Sequence, residues 1–253
     1  MPPKPKPPPS TSAPPNHPPP NWPKIHPVTP AADLSLHPLL HDHILTIPHL
    51  WTTALCKTYV RFLATLPLTT TPGTPRKGDA VRVNDRFQVD DPAFADRLWR
   101  ETGLGELVRH PVLDEELLDE AATKALWGGD VLGLNSNIRI YRYRKGQFFD
   151  QHYDDSNHVL FPSATSPNPT PAKTTWTLLL YLTSPATGCR GGETVFYPAA
   201  PRRRDAAPPP VIANLDVGMA LLHRHGHDCL LHEGREVTAG EKWVIRSDLV
   251  VKR

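Results

Sequence analysis

No run of apolar residues in this sequence approaches the length of about 18 that a membrane-spanning helix requires. The N-terminal segment MPPKPKPPPSTSAPP lacks the apolar core of a secretory signal. The cysteines, Cys56, Cys189 and Cys229, lie far apart and form no CxxC pair, which excludes a disulfide framework and a cysteine-rich zinc site. These absences predict an intracellular protein, cytoplasmic or nuclear, that does not bind a membrane.

Charge of one sign is not in excess either. The 28 Lys and Arg residues nearly balance the 26 Asp and Glu residues, which leaves a formal net charge of +2. Nucleic-acid-binding domains usually carry a strong basic excess, so nucleic acid is not an expected partner. The glycine patterns of Walker and Rossmann nucleotide sites are missing, as is the GxSxG motif of serine hydrolases.

Proline is abundant, with 31 residues, and 14 of them fall within residues 1–30. A stretch of this composition cannot build a packed core and favours polyproline II or disorder. We therefore expect a disordered tail over residues 1–32, with a capacity to bind a partner protein. Residues 33–253 are expected to form a single domain.

The first half of that domain is predicted to be mixed, with a candidate strand over residues 41–50 followed by helices, and the second half to consist of strands. Hydrophobic residues at helical spacing predict helices over residues 51–66, 91–108 and 114–129. Short segments rich in β-forming residues then recur between turns, at residues 135–144, 174–183, 192–198, 217–225, 228–233 and 241–251. This order predicts an α+β fold in which N-terminal helices pack on one side of a β-sandwich, jelly roll or barrel.

A histidine and an aspartate separated by one residue form the sharpest local motif. In an extended strand, His152 and Asp154 project to the same face and can supply two ligands to a metal ion. A third ligand must come from elsewhere in the chain, and the candidates are His223, His225, His227 and His232. The first three cluster in a predicted turn and are expected at the surface. His232 ends a short apolar strand, where a β-core opens. Two imidazoles and one carboxylate suit non-haem Fe(II), because they leave coordination positions open.

Two cationic residues follow His232 on the next predicted strand. Lys242 lies ten residues after His232, and Arg246 has the same strand parity as Lys242. A buried cation beside a metal is costly unless it meets an anion. A dicarboxylate bound to iron at one end and to a cation at the other would supply that anion.

These elements resemble the double-stranded β-helix core of the 2-oxoglutarate/Fe(II)-dependent dioxygenases, in their prolyl 4-hydroxylase-like branch. The resemblance rests on YRKGQFFDQHYD at residues 143–154, on GGETVFYP at residues 191–198, and on the block from His232 to Trp243. It covers about residues 133–250. One HxD motif is weak, but the ordered set with its His-to-Lys spacing is specific.

The resemblance implies a role for each matching residue. His152, Asp154 and His232 would hold Fe(II) and form the catalytic centre. Lys242 would pair with the distal carboxylate of 2-oxoglutarate, and Tyr143 would hydrogen-bond to it. Arg246 is an alternative to Lys242, because both residues face the same way, and Lys242 is the preferred choice.

The implied activity is hydroxylation of an unactivated C–H bond, with release of succinate and CO2. The implied cofactors are Fe(II), 2-oxoglutarate and O2, with ascorbate as a supporting reductant. The substrate is expected to be a peptidyl proline, another protein side chain or a small molecule. Thr177 and Thr194 are candidate pocket-lining positions, and Arg82, Asn84 and Arg86, which share strand parity, are candidates for the substrate mouth.

Other interpretations of the same residues stay open. A cupin-like dioxygenase or a zinc hydrolase would share the metal ligands but would not need Lys242. A non-catalytic binding module could retain the fold, with the proline-rich tail as a tether. A nucleic-acid repair oxygenase would use the same chemistry, although the net charge disfavours it.

Overall fold

The computed structural model describes residues 17–71, 80–162, 167–199 and 206–253. The predicted tail over residues 1–16 lies outside the described residues. Within the described ranges, no helix is both long enough and apolar enough to cross a bilayer.

The described helices lie almost entirely in the first half of the chain, as predicted. They are α1 Thr53–Leu63, α2 Pro92–Glu101, α3 Leu104–Arg109 and α4 Glu120–Trp127, with 3-10 turns at Ala31–Asp33, Pro185–Thr187 and Gly226–Asp228. Asp91 caps α2, since its Oδ1 accepts a hydrogen bond from the Phe94 backbone N–H and Pro92 follows at the first helical position. The helix expected over residues 91–108 is thus two helices, because Gly103 adopts a left-handed conformation between them.

Strands occupy most of the second half. Those before the HxD motif are β1 His37–Leu40, β2 Ile44–Ile47, β3 Thr69–Thr70, β4 Arg82–Val83, β5 Asp85–Asp90, β6 Val112–Leu113, β7 Glu116–Leu117, β8 Val131–Leu134 and β9 Asn137–Arg144. The remainder are β10 Phe148–His152, β11 His158–Phe161, β12 Thr170–Tyr181, β13 Arg190–Gly191, β14 Thr194–Tyr197, β15 Val211–Ala213, β16 Ala220–Arg224, β17 Leu231–Gly234, β18 Val237–Ala239 and β19 Glu241–Lys252.

Most of the described strands belong to two sheets. The major sheet has the order β1-β2-β16-β12-β19-β9-β5-β3, with β11 also paired to β12 and β8 to β19. The minor sheet has the order β15-β14-β17-β10-β4. Strands distant in sequence are neighbours in both sheets, which is the Greek-key connectivity of a jelly roll. The predicted fold class, α+β with a double-stranded β-helix core, is confirmed.

The two faces of the major sheet bury different residues. On β9, Ile138 and Ile140 belong to the larger hydrophobic cluster, which also contains Leu55 of α1 and Leu98 of α2. Tyr141 points to the other face, into a smaller cluster shared with the minor sheet. Alternation along each strand therefore separates a helix-covered face from an inner face between the sheets.

Residues 17–32, which were predicted to belong to the tail, pack against the domain. The Trp22 indole N–H donates a hydrogen bond to Asp91 Oδ2 at 2.7 Å, and its ring stacks on Phe94 with centroids 4.1 Å apart. The Tyr59 hydroxyl donates to the Pro23 carbonyl at 2.8 Å. The predicted boundary at residue 32 therefore needs correction. Proline restrains the local backbone but does not prevent an extended segment from burying an aromatic side chain.

Candidate active site

The two central histidines lie side by side on adjacent strands of the minor sheet. His152 ends β10 and is the direct register partner of His232 on β17. Their ring centroids are 4.2 Å apart. Asp154 follows two residues after His152, where the chain leaves the sheet. A sequence motif and a residue 80 positions away are thus joined by a single strand pairing.

The ligand atoms of these residues converge on one point. Asp154 Oδ1 lies 3.7 Å from His152 Nε2, and Asp154 Oδ2 lies 3.9 Å from His232 Nε2. One donor atom from each residue lies within 4.8 Å of the other two. This spacing fits a small metal ion placed between the donors.

Backbone contacts fix which imidazole nitrogen is free. His152 Nδ1 lies 2.8 Å from the Asp150 carbonyl oxygen, and His232 Nδ1 lies 2.9 Å from the Leu230 carbonyl oxygen. A carbonyl oxygen can only accept, so each Nδ1–H must donate. The Nε2 lone pairs of both rings are then available to a metal.

Burial and charge hold the three residues in the protonation states that a metal needs. Burial lowers the pKa of His152 to about 3 and also lowers the pKa of His232, so both rings are neutral. Burial by itself would raise the pKa of Asp154, but the Arg246 guanidinium and the neighbouring imidazoles hold that pKa well below its usual range. Neutral imidazoles and an ionised carboxylate are the forms that bind metal ions.

A third buried histidine, His223, faces the same point; the sequence offered it as a candidate ligand but placed it at the surface. His223 Nε2 lies 3.7 Å from Asp154 Oδ2, and it has no hydrogen-bond partner among the described residues. The expectation that His223 and His225 lie at the surface is wrong, because β16 runs inside the major sheet between β2 and β12. His225 is held by Thr174 and Thr177, and only His227 is exposed.

The orphaned Nε2 of His223 is an independent sign that the site fits a further group. A second possible set of donors consists of His223, Cys229 and His232. Burial raises the pKa of the Cys229 thiol to about 11, and its Sγ lies 3.4 Å from the Leu230 carbonyl oxygen, to which it can donate. A protonated thiol is a poor metal ligand, so the set containing Asp154 is the better fit.

The predicted cofactor cation, Lys242, is buried on the inner face of β19. Its Nζ donates a hydrogen bond to the Gly192 carbonyl oxygen at 2.6 Å. The same atom lies 5.4 Å from the Tyr143 ring centroid and 5.3 Å from that of Tyr181. Burial lowers the pKa of Lys242 to about 8, and Cys189 and Glu193 offset only part of this effect.

Arg246, by contrast, is already paired with acids. Its guanidinium contacts Asp154 and also lies 3.4 Å from Asp248 Oδ1. Asp248 in turn forms an ion pair with Arg139. Thr177 adds a hydrogen bond from its hydroxyl to Asp154 Oδ2 at 2.8 Å. The carboxylate between the histidines is therefore oriented by a guanidinium and a hydroxyl.

One cavity brings all of these predicted residues together. Its walls come from both sheets, and they include Tyr143, His152, Asp154, Thr177, Thr194, His232, Lys242 and Arg246. Aromatic and aliphatic side chains, Tyr141, Phe149, Leu179 and Val244, complete the lining. The site thus combines a cluster of metal donors, a buried unpaired amine and a largely apolar wall.

Comparison with known proteins supports the resemblance seen in the sequence. Residues 138–247 match the family model described as the 2OG-Fe(II) oxygenase superfamily. No curated protein matches the chain in a sequence search. A prolyl-4-hydroxylase from Pseudomonas putida has a similar structure, with a TM-score of 0.50 and 14% identity over 83% of this chain and 94% of that chain.

Two further structures are similar at lower scores. A viral collagen prolyl hydroxylase from Paramecium Bursaria Chlorella virus-1 has a TM-score of 0.47 and 14% identity, covering 83% of this chain and 96% of that one. A prolyl hydroxylase from Trichoplax adhaerens, solved with a hypoxia-inducible-factor peptide, has a TM-score of 0.48 and 12% identity, covering 83% of each chain. Over residues 138–247, this chain is thus similar to the 2OG-Fe(II) oxygenase superfamily, which identifies it as an oxidoreductase with Fe(II), 2-oxoglutarate and O2 as cofactors.

Proposed function

We propose that this protein hydroxylates an unactivated C–H bond of a peptidyl proline or another protein side chain, with release of succinate and CO2. One observation carries the proposal: the converging donors of His152, Asp154 and His232 share a cavity with a buried lysine. Among the described residues, the only hydrogen-bond acceptor for that Lys242 amine is a backbone carbonyl. A metal site beside an unpaired cation suits a dicarboxylate that bridges the two.

In this proposal His152, Asp154 and His232 hold Fe(II). Their Nε2 lone pairs and the ionised carboxylate would supply three donors to the ion. Bound Fe(II), together with 2-oxoglutarate and O2, supplies the oxidising chemistry. No general base or nucleophile from the protein is needed.

Lys242 binds the distal carboxylate of 2-oxoglutarate, and Tyr143 donates a hydrogen bond to the same group. Arg246 has a different task, because its guanidinium is engaged by Asp154 and Asp248. It orients the Asp154 carboxylate and keeps it ionised, and the apolar wall of the cavity limits access of water. The sequence left two cations as alternatives, and their contacts favour Lys242.

The domain organisation is part of the same proposal. Residues 33–253 form one domain, to which residues 17–32 add a packed strap that includes Trp22. Residues 1–16 carry the proline-rich sequence that could serve as a ligand for a partner protein.

The test is a coupled measurement of succinate release and substrate mass. The full chain, supplied with Fe(II), 2-oxoglutarate and ascorbate, is screened against proline-containing peptides, other peptides and metabolites. We expect one class to stimulate succinate release and to gain the mass of one oxygen atom. Succinate release without any oxygenated product across a broad peptide set would contradict a protein side chain as the substrate.

A further inference from the structure

We propose that Arg82, Arg86 and Arg139 form a subsite for an acidic group, a carboxylate or a phosphate, on the substrate that is oxidised. The inference rests on the proposed function in one respect, since it assigns this subsite to the substrate of the same cavity. It names a chemical feature that the substrate must carry.

Strand register brings these arginines to one place. Arg86 on β5 is the register partner of Tyr141 on β9, and Arg139 on β9 is the partner of Arg246 on β19. Tyr141 and Arg246 line the metal cavity, so the inner face of the sheet carries Arg86 and Arg139 beside it.

The third arginine comes from the minor sheet. Arg82 on β4 is paired with Phe149 on β10, and its Cζ lies 5.0 Å from the Phe149 ring centroid. The Cζ of Arg86 lies 5.9 Å from the Tyr141 ring centroid. Both rings line the metal cavity, so guanidinium groups from the two sheets approach it from two sides.

The positive charge of this cluster is not balanced within the described part of the chain. Arg246 and Arg139 have Asp154 and Asp248 as partners, whereas no described acidic side chain lies within ion-pair distance of Arg82 or Arg86. Four arginines around the cavity therefore share two carboxylates, and the Lys242 amine adds a further positive charge.

Donor groups of the cluster are buried without acceptors. The Nε atoms of Arg86 and Arg139 have no hydrogen-bond partner among the described residues and are shielded from solvent. One Nη of Arg86 reaches Gln88 Oε1, which is a neutral acceptor. Burial lowers the pKa of Arg86, and the nearby Arg82, Arg139 and Arg246 lower it further. Unpaired, buried guanidinium groups are costly, and a bound carboxylate or phosphate would satisfy both their charge and their N–H groups.

The subsite is distinct from the proposed 2-oxoglutarate cation. On β19, Lys242 and Arg246 are separated by four residues, which corresponds to about 13 Å along a strand. Arg139 lies opposite Arg246, and Lys242 lies opposite Tyr143. A co-substrate held by Lys242 would occupy that end of the inner face and leave the end that carries Arg139 and Arg246 to the second substrate.

A larger cavity includes Arg139, whose register partner Arg246 lines the metal cavity. Its volume is about 830 Å³, and Arg139 forms part of its wall together with Trp99, Arg100, Arg109 and Asn137. Pockets of this size hold most of a small organic ligand or several residues of a peptide. The acidic group would bind at the arginine cluster while the rest of the substrate occupies this cavity.

The decisive experiment measures anion binding separately from turnover. Affinities of inorganic phosphate and acetate are determined by calorimetry on the full chain loaded anaerobically with Fe(II) and 2-oxoglutarate, and again without either. We expect Arg86→Gln and Arg82→Gln to weaken binding of at least one anion tenfold or more. Arg144→Gln is the matched control, because Arg144 is half-exposed on the opposite face and pairs with Asp85 and Glu241.

The control and a cofactor variant separate the possible outcomes. Lys242→Ala should weaken binding of 2-oxoglutarate but not of phosphate or acetate. Equal anion affinities in Arg86→Gln, Arg82→Gln and Arg144→Gln would overturn the proposal. So would a weakening of 2-oxoglutarate binding alone in the Arg86 and Arg82 variants, since the cluster would then serve the co-substrate. Arg82→Gln keeps the test valid if Arg86→Gln does not fold, because Arg86, unlike Arg82, has a buried nitrogen without a partner among the described residues.

Substrate pairs then connect the subsite to the reaction. Each acidic compound or peptide that stimulates succinate release is compared with its neutral amide or ester. We expect at least a tenfold lower kcat/KM for the neutral member with the wild-type protein, and a smaller difference with Arg86→Gln. If the protein shows no 2-oxoglutarate turnover but still loses anion binding in the Arg86 and Arg82 variants, the proposed function fails and the anion subsite stands. A substrate oxidised equally well in its neutral form would contradict the assignment.

Discussion

Arg246 and Asp154 form a two-point ion pair inside the β-core, with Nη1 3.2 Å from Oδ1 and Nη2 3.0 Å from Oδ2. The guanidinium plane therefore fixes the orientation of the carboxylate that stands between the two predicted histidine ligands. Asp248 on the other side of Arg246 and Arg139 beyond it extend the pair into a chain of alternating charges. This series of ion pairs holds the Asp154 carboxylate in place before any cofactor binds.

The first prediction concerns the metal ligands. His152→Ala, Asp154→Ala and His232→Ala should each abolish the absorbance band that wild-type protein develops when Fe(II) and 2-oxoglutarate are added without oxygen. Each substitution removes one of three donors, and the remaining two bind the ion weakly. His227→Ala is the matched control, since that histidine is exposed and should leave the band intact. A band of full intensity in any of the three ligand variants would remove that residue from the ligand set.

A second prediction follows from the buried ion pair. Arg246→Met should reduce the free energy of unfolding by about 3–5 kcal/mol, because it removes the guanidinium from the buried Asp154 carboxylate and leaves Arg139 as the remaining cationic partner of Asp248 among the described residues. Urea denaturation measures the change. The double variant Arg246→Met with Asp248→Asn should recover part of the loss. A loss below about 1 kcal/mol in the single variant would mean that water compensates the two acids.

The third prediction separates the two cations. Lys242→Ala should raise the Kd for 2-oxoglutarate by about a hundredfold or more, the scale of a lost buried charge-assisted hydrogen bond. Anaerobic titration followed by the absorbance band gives this constant, and Lys242→Arg should restore part of the affinity. If Arg246→Lys raises the Kd instead and Lys242→Ala does not, the roles of the two residues are exchanged.

A fourth prediction is the pH dependence of co-substrate binding. Burial holds the pKa of Lys242 at about 8, below the ordinary value of 10.5, and the titratable groups that act on the amine in the opposite direction are Cys189 and Glu193. The amine is protonated below this value and binds an anion, so affinity for 2-oxoglutarate should fall as pH rises above about 8. The same shift means that the unfolded chain binds more protons than the folded one between pH 8 and 10.5, so this lysine makes stability rise with pH over that window.

Lys242→Met is the variant that checks the assignment, since it removes the titrating amine without removing the packing of the stem. Its affinity for 2-oxoglutarate should be weak and should not change between about pH 7 and pH 9.5, a range that spans the pKa of Lys242 at about 8. A wild-type affinity that does not change across this range would show that the amine stays protonated in the free protein.

The last prediction concerns the glycine that contacts the lysine. Gly192 has φ of +78°, and a Cβ at this position would lie 3.2 Å from Lys242 Cδ and 3.0 Å from Val237 Cγ2. Gly192→Ala should lower stability by about 1–2 kcal/mol and weaken 2-oxoglutarate binding, because it displaces the lysine stem. Gly188→Ala has comparable backbone strain, with φ of +90°, but meets nothing within 4 Å. Equal effects of the two substitutions on 2-oxoglutarate binding would exclude a steric route through Lys242.

Much of the site could be predicted because its elements are local. The period-two alternation of a strand places His152 and Asp154 toward one side, and it places Lys242 and Arg246 on the same face of β19. Hydrophobic spacing and turn residues predict many helices and strands in the same way, but the helix expected over residues 114–129 begins only at Glu120, because β7 Glu116–Leu117 pairs with β6 before it. Each of these inferences requires only a few neighbouring residues.

Contacts between distant strands could not be predicted in this way. The burial of His223 depends on β16 lying between β2 and β12. The sequence grouped Arg82 with Arg86 by the parity of a single strand, whereas the two residues lie on β4 and β5, which belong to different sheets. The position of Trp22 could not be predicted from composition. A high proline content predicts the local backbone conformation, but it does not say which surface the indole packs against.

The sequence by itself determined the spacing of the donor residues and the strand face on which each was expected, because side chains alternate between the two faces along a strand. Only the tertiary structure decided which charges meet: Arg246 with Asp154, Lys242 with a carbonyl oxygen, and Arg86 with no acid in the described residues. The reason is physical. Pairing of strands far apart in sequence is set by the burial of the whole core, and the partner of each buried charge follows from that pairing.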